Sequence, residues 1–187
     1  MINNIIENIP NYLSLLILIG PGGVGGMDPF ERRKPISAIK DEGLGMSDKR
    51  DYLTVRGSIN YIKHDTDPWY SACPTCNKKV VQSMGGDKFR CEKCNLTLDE
   101  CSYRYIVNFQ LIDHSGNSWL TVFNDGEKIL GGKTAKELFQ MRTEGNDLGY
   151  EQVFSEALFK TYVCNISAKQ EIGKFNYYII MNIYFYS

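Results

Sequence analysis

The sequence lacks an excess of charge of either sign. Its 187 residues include 21 Lys and Arg against 22 Asp and Glu, for a net charge of −1. A near-neutral chain has no overall attraction to polyanions, so a nucleic acid would have to be held by local basic clusters and by stacking. The composition therefore excludes a uniformly basic nucleic-acid-binding protein and leaves a locally basic one open.

The sequence also lacks an apolar run long enough to cross a membrane. The run Leu13–Ile19 is far shorter than the roughly 20 residues of a transmembrane helix. No Lys or Arg precedes it and Pro10 lies just before it, which is unlike a secretory signal. Residues 1–30, ending in a Gly-rich stretch, are predicted to be a leader or linker, either a short docking helix or an adventitious segment. The folded body is predicted to occupy residues 31–187, with no membrane association.

Signatures of catalysis are lacking as well. The chain has no glycine-rich phosphate loop and no His paired with an acidic residue in a catalytic arrangement. Six cysteines are too few for a disulfide-dense scaffold, which favours a reducing compartment. We therefore predict a protein that is not an enzyme.

Two Cys-x-x-Cys pairs are the most specific feature that is present. Cys73 and Cys76 form the first pair, Cys91 and Cys94 form the second, and fourteen residues separate the pairs. Tetrahedral zinc takes four thiolates, and two such turns brought together complete its shell. The spacing predicts one structural Zn²⁺ in a zinc ribbon at residues 69–101.

Two alternative roles for the cysteines fit the sequence less well. A catalytic zinc keeps one position open, whereas four thiolates close the shell. A redox Cys-x-x-Cys expects a thioredoxin-like strand and helix context, which is missing here. Cys101 is close enough in sequence to act as a substitute ligand, but it and Cys164 are better explained as small buried residues.

The rest of the chain predicts a mainly-β fold. Strand-like runs occupy residues 51–64, then 103–125 as a hairpin, and 159–186 as two further strands. Residues 126–158 have apolar positions at helical spacing and predict two short helices. Five strands with helices between strands 3 and 4 match an OB-fold barrel, here with the ribbon inserted. An open α+β sheet is the alternative.

Several stretches resemble a known family. "YSACPTCNKKVV", "KFRCEKCN", "YRYIVNFQLID", "SWLTVFNDGEKILGG" and "YEQVFSEALF" are similar to the C-terminal DNA-binding domain of the large subunit of replication protein A, over residues 36–186. The resemblance implies an OB-fold that binds single-stranded DNA, with a zinc ribbon after its first strand. It also implies a nuclear location and smaller OB-fold subunits as partners, bound through a helix beyond the last strand. The family includes paralogues that serve telomerase and telomeres, so telomerase is a further implied partner.

Candidate DNA contacts follow from strand alternation and from the resemblance. Alternation puts Trp119, Thr121 and Phe123 on one face of a strand. Leu120 and Val122 take the other face, and this aliphatic pair suits the core. Trp119 has an alternative assignment to the core. The resemblance supports Phe123 and Phe175 as base-stacking residues. Phe89 is expected to be exposed between two cations. The predicted contacts are Phe123, Phe175, Trp119, Phe89, Lys88, Arg90, Arg104, Lys160 and Lys174, although surface lysines often serve only solubility.

Two functions from different classes remain open on sequence alone. The first is a module that binds single-stranded DNA in replication, repair or telomere maintenance. The second is an assembly scaffold that presents its surfaces to protein partners and contacts DNA weakly. The near-zero net charge favours the second, and the aromatic residues favour the first.

Overall fold

The structure, a computed structural model, describes residues 33–47, 49–83, 85–86, 88–169 and 178–182, the last range as backbone only. The predicted leader, residues 1–30, lies outside the described residues. In chain order the elements are α1 (Ala38–Asp41), β1 (Asp51–Lys63), β2 (Trp69–Ala72), β3 (Val81–Gln82), β4 (Phe89–Cys91), β5 (Leu96–Leu98), β6 (Ser102–Tyr105), β7 (Val107–Asp113), β8 (Gly116–Val122), α2 (Gly126–Ile129), α3 (Ala135–Thr143), α4 (Asp147–Ala157), β9 (Thr161–Lys169) and β10 (Tyr178–Asn182).

The main sheet is curled so far that its pairing returns to the first strand. β1 pairs with β9 and with β7, β7 pairs with β8, and β10 joins β8 to β9. Alternate residues of β1 point inward, so Leu53, Val55 and Ile59 are buried while their neighbours face solvent. The predicted mainly-β class with a few short helices is confirmed.

Gly57 lets β1 change partner in mid-strand. β1 pairs with β9 up to Ser58 and with β7 from Ser58 onward. A Cβ atom at residue 57 would lie 2.7 Å from the Ile112 carbonyl oxygen and 2.8 Å from the Leu111 Cγ atom. Only glycine permits this approach, because a side chain here would push the two strands apart.

The cysteine-rich segment leaves the main sheet through one small ladder. β2 and β6 pair antiparallel, so the chain departs after β1 and returns just before β7. Between them, β3, β4 and β5 form a three-stranded sheet. Cys73, Val80 and Cys91 are buried at this sheet and form a cluster separate from the main core.

Three helices, rather than the two predicted, follow β8. The additional helix is α2, which has four residues and is too short to produce a helical apolar pattern. α3 begins at a capping box, in which Thr134 Oγ1 accepts the Glu137 N–H at 3.2 Å and the Glu137 carboxylate accepts the Thr134 N–H at 2.7 Å. None of the helices in the described ranges is long and apolar enough to cross a membrane.

Aromatic residues of β2 and β6 pack against aromatic residues of α3 and α4 over the main core. Trp69 meets Phe139 and Tyr150 edge to face, with ring centroids 6.4 Å and 6.2 Å apart. Tyr103 stacks on Phe139 at 4.1 Å. Tyr105 is buried and donates its hydroxyl to the Lys133 carbonyl oxygen at 2.6 Å. These residues are packing residues, as aromatic side chains on strands commonly are.

Candidate metal centre and nucleic-acid surface

The four predicted ligands come together at one point. The Sγ atoms of Cys73, Cys76, Cys91 and Cys94 all lie within 4.8 Å of one another, and those of Cys76 and Cys91 are 3.5 Å apart. Sulfur atoms at about 2.3 Å from a tetrahedral zinc are about 3.8 Å apart, whereas a disulfide requires about 2.05 Å. All six cysteines of the chain are free thiols. The spacing therefore suits four zinc ligands and excludes a disulfide within the cluster.

The protonation of the cluster also fits a bound cation. The backbone N–H of Cys76 donates to the Cys73 sulfur and lowers the pKa of that thiol to about 6. The Cys76 side chain and burial raise the pKa of Cys94 to about 12. Without a cation, closely spaced thiolates repel one another, and a charge on the Cys73 sulfur is one of the causes that raise the pKa of Cys94. A divalent metal would hold all four as thiolates.

Each cysteine pair is followed by an asparagine that forms the turn. Asn77 and Asn95 come directly after Cys76 and Cys94 and have φ values of 60° and 54°. Asparagine tolerates this left-handed conformation better than most residues. The motif Cys-x-x-Cys-Asn therefore occurs twice in the sequence. The asparagine of each motif marks the turn, which the spacing of the cysteines alone does not indicate.

Two predicted phosphate-binding arginines hold these asparagines. Arg90 Nη2 donates to the Asn95 Oδ1 atom at 2.6 Å. Arg104 Nη1 donates to Asn77 Oδ1 at 2.9 Å, and its Nη2 donates to Asn124 Oδ1. Within the described residues neither guanidinium forms an ion pair with a carboxylate. Both arginines are therefore fixed in position and keep a positive charge that a phosphate can use.

The exposed aromatic residues lie on the outer face of the main sheet. Trp119 on β8 is 46% exposed, whereas Leu120 and Val122 are buried. Trp119 is therefore not a core residue, but the predicted alternation holds only in part: Thr121, predicted on the exposed face, is also buried and donates its hydroxyl to Asn108 Oδ1 at 2.6 Å. Phe123 follows β8 directly and is half-buried. Tyr61 on β1, which the sequence did not single out, is 46% exposed and meets Trp119 edge to face at 5.8 Å.

A comparison with protein families identifies the family to which this chain belongs. The family described as "Replication factor-A C terminal domain" matches residues 52–179, which span the main sheet, the cysteine cluster and the helices. The chain belongs to the Replication factor-A C terminal domain family.

Curated relatives of this replication factor-A C-terminal domain include much longer proteins. The "Replication factor A protein 1" of Schizosaccharomyces pombe is 40% identical over 141 residues, covering 74% of this chain and 22% of the relative. The "Replication protein A 70 kDa DNA-binding subunit" of Danio rerio is 36% identical over 160 residues, covering 84% and 26%. The chain thus spans about a quarter of the length of these relatives.

Solved structures give the same similarity. A replication protein A heterotrimer bound to single-stranded DNA matches with a TM-score of 0.71 and 34% identity, over 81% of this chain and 35% of that chain. Yeast replication protein A bound to single-stranded DNA matches with a TM-score of 0.66 and 29% identity, over 81% and 84%.

Of the remaining predicted contacts of this replication factor-A C-terminal domain, Lys88 and Phe89 belong to the cysteine-rich segment and Lys160 lies beside β1. Lys88 is exposed and forms an ion pair with Asp99 at 3.2 Å, and Lys160 is exposed. Phe89 was expected to be exposed, and this is wrong: its ring is half-buried and packs against the cysteine cluster. The physical reason is that the ring, together with Leu98, covers the buried Cys73, Val80 and Cys91 and so removes apolar surface from water. Lys174 and Phe175 lie outside the described residues.

Proposed function

We propose that this replication factor-A C-terminal domain is a non-enzymatic module that binds single-stranded DNA within a large subunit like that of replication protein A. In this proposal the closed main sheet is a five-stranded OB-fold barrel, and residues 69–101 are a zinc ribbon inserted after its first strand. OB-folds bind oligonucleotides across the face of their second and third strands, which correspond to β7 and β8. The observation that carries the proposal is Trp119, a large aromatic side chain exposed on that face.

The cysteine cluster supports a structural zinc. Four thiolates close the coordination shell, so Cys73, Cys76, Cys91 and Cys94 would hold the ion without an open position for a substrate. When bound, the ion would replace the hydrophobic core that the ribbon lacks. It would also fix the two turns that Arg90 and Arg104 contact.

The wider biological role follows from the family. The similar solved structures are a heterotrimer and a yeast protein, each bound to single-stranded DNA, and we propose the same class of partners for this domain. These partners are single-stranded DNA and smaller OB-fold subunits, in a nuclear protein that serves replication and repair. A preference for G-rich strands would instead indicate a role with telomerase or at telomeres.

The first experiment is a binding measurement on the zinc-loaded chain. Labelled oligonucleotides of mixed pyrimidine, G-rich and duplex sequence are titrated at two salt concentrations and followed by fluorescence anisotropy. Binding to single strands but not to duplex, weaker at high salt, is the expected result. Absence of binding by a folded, zinc-loaded protein would contradict the proposal and favour the assembly scaffold.

Replacing Phe123 tests the stacking surface directly. Phe123→Ala is expected to weaken binding of a single strand by about 1–3 kcal/mol, because base stacking on one aromatic ring contributes that much. Tyr52→Ala is the matched control, since Tyr52 is an exposed aromatic residue at the beginning of β1, outside the proposed binding surface. Anisotropy gives the affinity, and thermal unfolding checks the fold. A loss of thermal stability as large as the loss of affinity would assign Phe123 to the core instead.

A further inference from the structure

Two irregularities of the main sheet meet at Ile59. On one side, Ile59 pairs with Leu111 and Tyr61 pairs with Gln110, so Asn60 is an extra residue in β1. On the other side, Phe159 N–H donates to the Ile59 carbonyl oxygen at 2.7 Å and Ile59 N–H donates to the Lys160 carbonyl oxygen at 3.0 Å. Two residues thus face one on each side, which is the arrangement of a β-bulge. Bulges redirect side chains and are frequent beside binding sites.

The first bulge turns Tyr61 outward. Strict alternation along β1 would bury residue 61, because Val55, Gly57 and Ile59 are the inward residues before it. The extra residue reverses this, so Asn60 and Tyr61 are both exposed. The sheet therefore presents an aromatic ring at a position where its own pattern would have placed a core residue.

The second irregularity places Phe159 in a conformation that stability does not explain. Its φ is 61°, in the left-handed region where a bulky residue is an outlier and glycine is favoured. Its side chain is 73% exposed, so its burial offsets little of the backbone strain. Strained residues are concentrated at functional sites. Neither packing nor backbone preference accounts for a phenylalanine here.

These residues form one row across neighbouring strands. Phe159, two residues before β9, is hydrogen-bonded to Ile59 of β1, and Tyr61 lies two residues further along β1. Tyr61 pairs with Gln110 of β7, and Gln110 pairs with Trp119 of β8. Four strands at about 4.8 Å spacing make the row about 14 Å long. That length corresponds to about four nucleotides at the 3.4 Å rise of a stacked strand.

Amide side chains fill the row between the aromatic rings. Asn60 Nδ2 donates to Gln110 Oε1 at 2.9 Å, and Gln110 Nε2 donates to Asn117 Oδ1 at 3.1 Å. Each amide keeps further donor or acceptor capacity, which is the chemistry that reads the edges of nucleobases. Alternation of flat rings and amides suits unpaired bases better than it suits an apolar peptide.

The charge along the row suits a polyanion. β1 carries no acidic residue from Leu53 to Lys63, and Arg56, Lys63 and Lys160 are exposed on or beside it. β8 also has no acidic residue. This region is therefore locally basic, although the net charge of the chain is −1. A local basic region of this kind can attract phosphates even when the whole protein is nearly neutral.

We propose that Tyr61 and Phe159, with the amides of Asn60 and Gln110, form a second base-binding element that extends the surface of Trp119 from β8 across β1 to the start of β9, and that its ligand is the unpaired bases of a nucleic-acid strand. The inference rests on the proposed function, because it lengthens the same binding surface.

Two variants of the full, zinc-loaded chain test this element. Phe159→Gly removes the ring and relieves the left-handed backbone, so thermal stability is expected to stay equal or rise. Tyr61→Ala removes the second ring. Oligo(dT) strands from about 4 to about 16 nucleotides are the probes, since OB-folds occupy that range. Each variant is expected to lose about 5- to 150-fold in affinity for the long strands.

Three matched variants separate the possible outcomes. Tyr52→Ala, on the same strand but outside the row, should bind all strands as the unchanged chain does. If Trp119→Ala and Phe123→Ala weaken binding while the Tyr61 and Phe159 variants do not, the second element is overturned, the proposed function stands, and the row is left for a protein partner. If none of the variants changes binding because the chain binds no strand, the proposed function fails together with the inference.

Discussion

Removal of zinc is expected to unfold the cysteine-rich segment and leave the main sheet folded. Among the described residues of the segment, the cluster of its own consists of three buried residues, Cys73, Val80 and Cys91, a core too small to offset the conformational entropy of the backbone. Structural zinc sites contribute about 10–16 kcal/mol in comparable small units, so the metal is the main source of order here. The main core is a separate cluster and does not include any of the four ligands.

A pair of cysteine variants makes this expectation specific. Cys91→Ser should abolish zinc binding, whereas Cys101→Ser should retain one zinc per chain, because Cys101 packs beside the cluster without belonging to its four ligands. Zinc content by metal analysis, together with amide hydrogen exchange across residues 69–101, measures both effects. A melting curve and an exchange pattern that do not change on chelation would show that the segment is ordered without metal.

Phe154→Ala is expected to produce the largest loss of stability in the main core. Phe154 is buried on α4, packs against Tyr150 at 5.0 Å, and stacks almost parallel on His64 at 4.4 Å. Truncation of a buried phenylalanine costs about 3–5 kcal/mol, because it removes apolar contacts and leaves a cavity. For a chain of this size, that corresponds to a fall in Tm of roughly 6–20 °C.

Leu148→Ala on the same helix is the control for this substitution. Leu148 is 88% exposed, so its truncation should change stability by no more than about 0.5 kcal/mol. Chemical denaturation of both variants gives the difference directly. Similar losses for the two residues would mean that α4 does not pack as described and that His64 lacks its stacking partner.

Features that depend on local spacing could be predicted from the sequence. The clustering of four cysteine sulfurs follows from two Cys-x-x-Cys pairs, and the burial of Leu120 and Val122 follows from simple alternation, which does not anticipate the buried Thr121 between them. Both patterns are set by neighbours within a few residues, so they survive without knowledge of the rest of the fold.

Features that depend on long-range pairing could not be predicted in the same way. Tyr61 is exposed because of a bulge against β7, a strand about fifty residues away. Phe89 packs against Cys73, Val80 and Cys91, and these residues come together only when the cysteine-rich segment folds. Arg104 lies within the strand β6, and nothing near it in sequence indicates that it contacts both Asn77 and Asn124.

The contacts of Arg104 connect the two halves of the proposed function. Asn77 directly follows Cys76, a proposed zinc ligand, and Asn124 directly follows Phe123. One guanidinium therefore contacts both a turn of the proposed metal site and the loop of a predicted stacking residue. We therefore expect the affinities for zinc and for DNA to be thermodynamically linked. Linkage between two binding equilibria is reciprocal. If bound zinc raises the affinity for a DNA strand by some factor, a bound strand raises the affinity for zinc by the same factor. Bound DNA should then protect the zinc from a competing chelator at equilibrium.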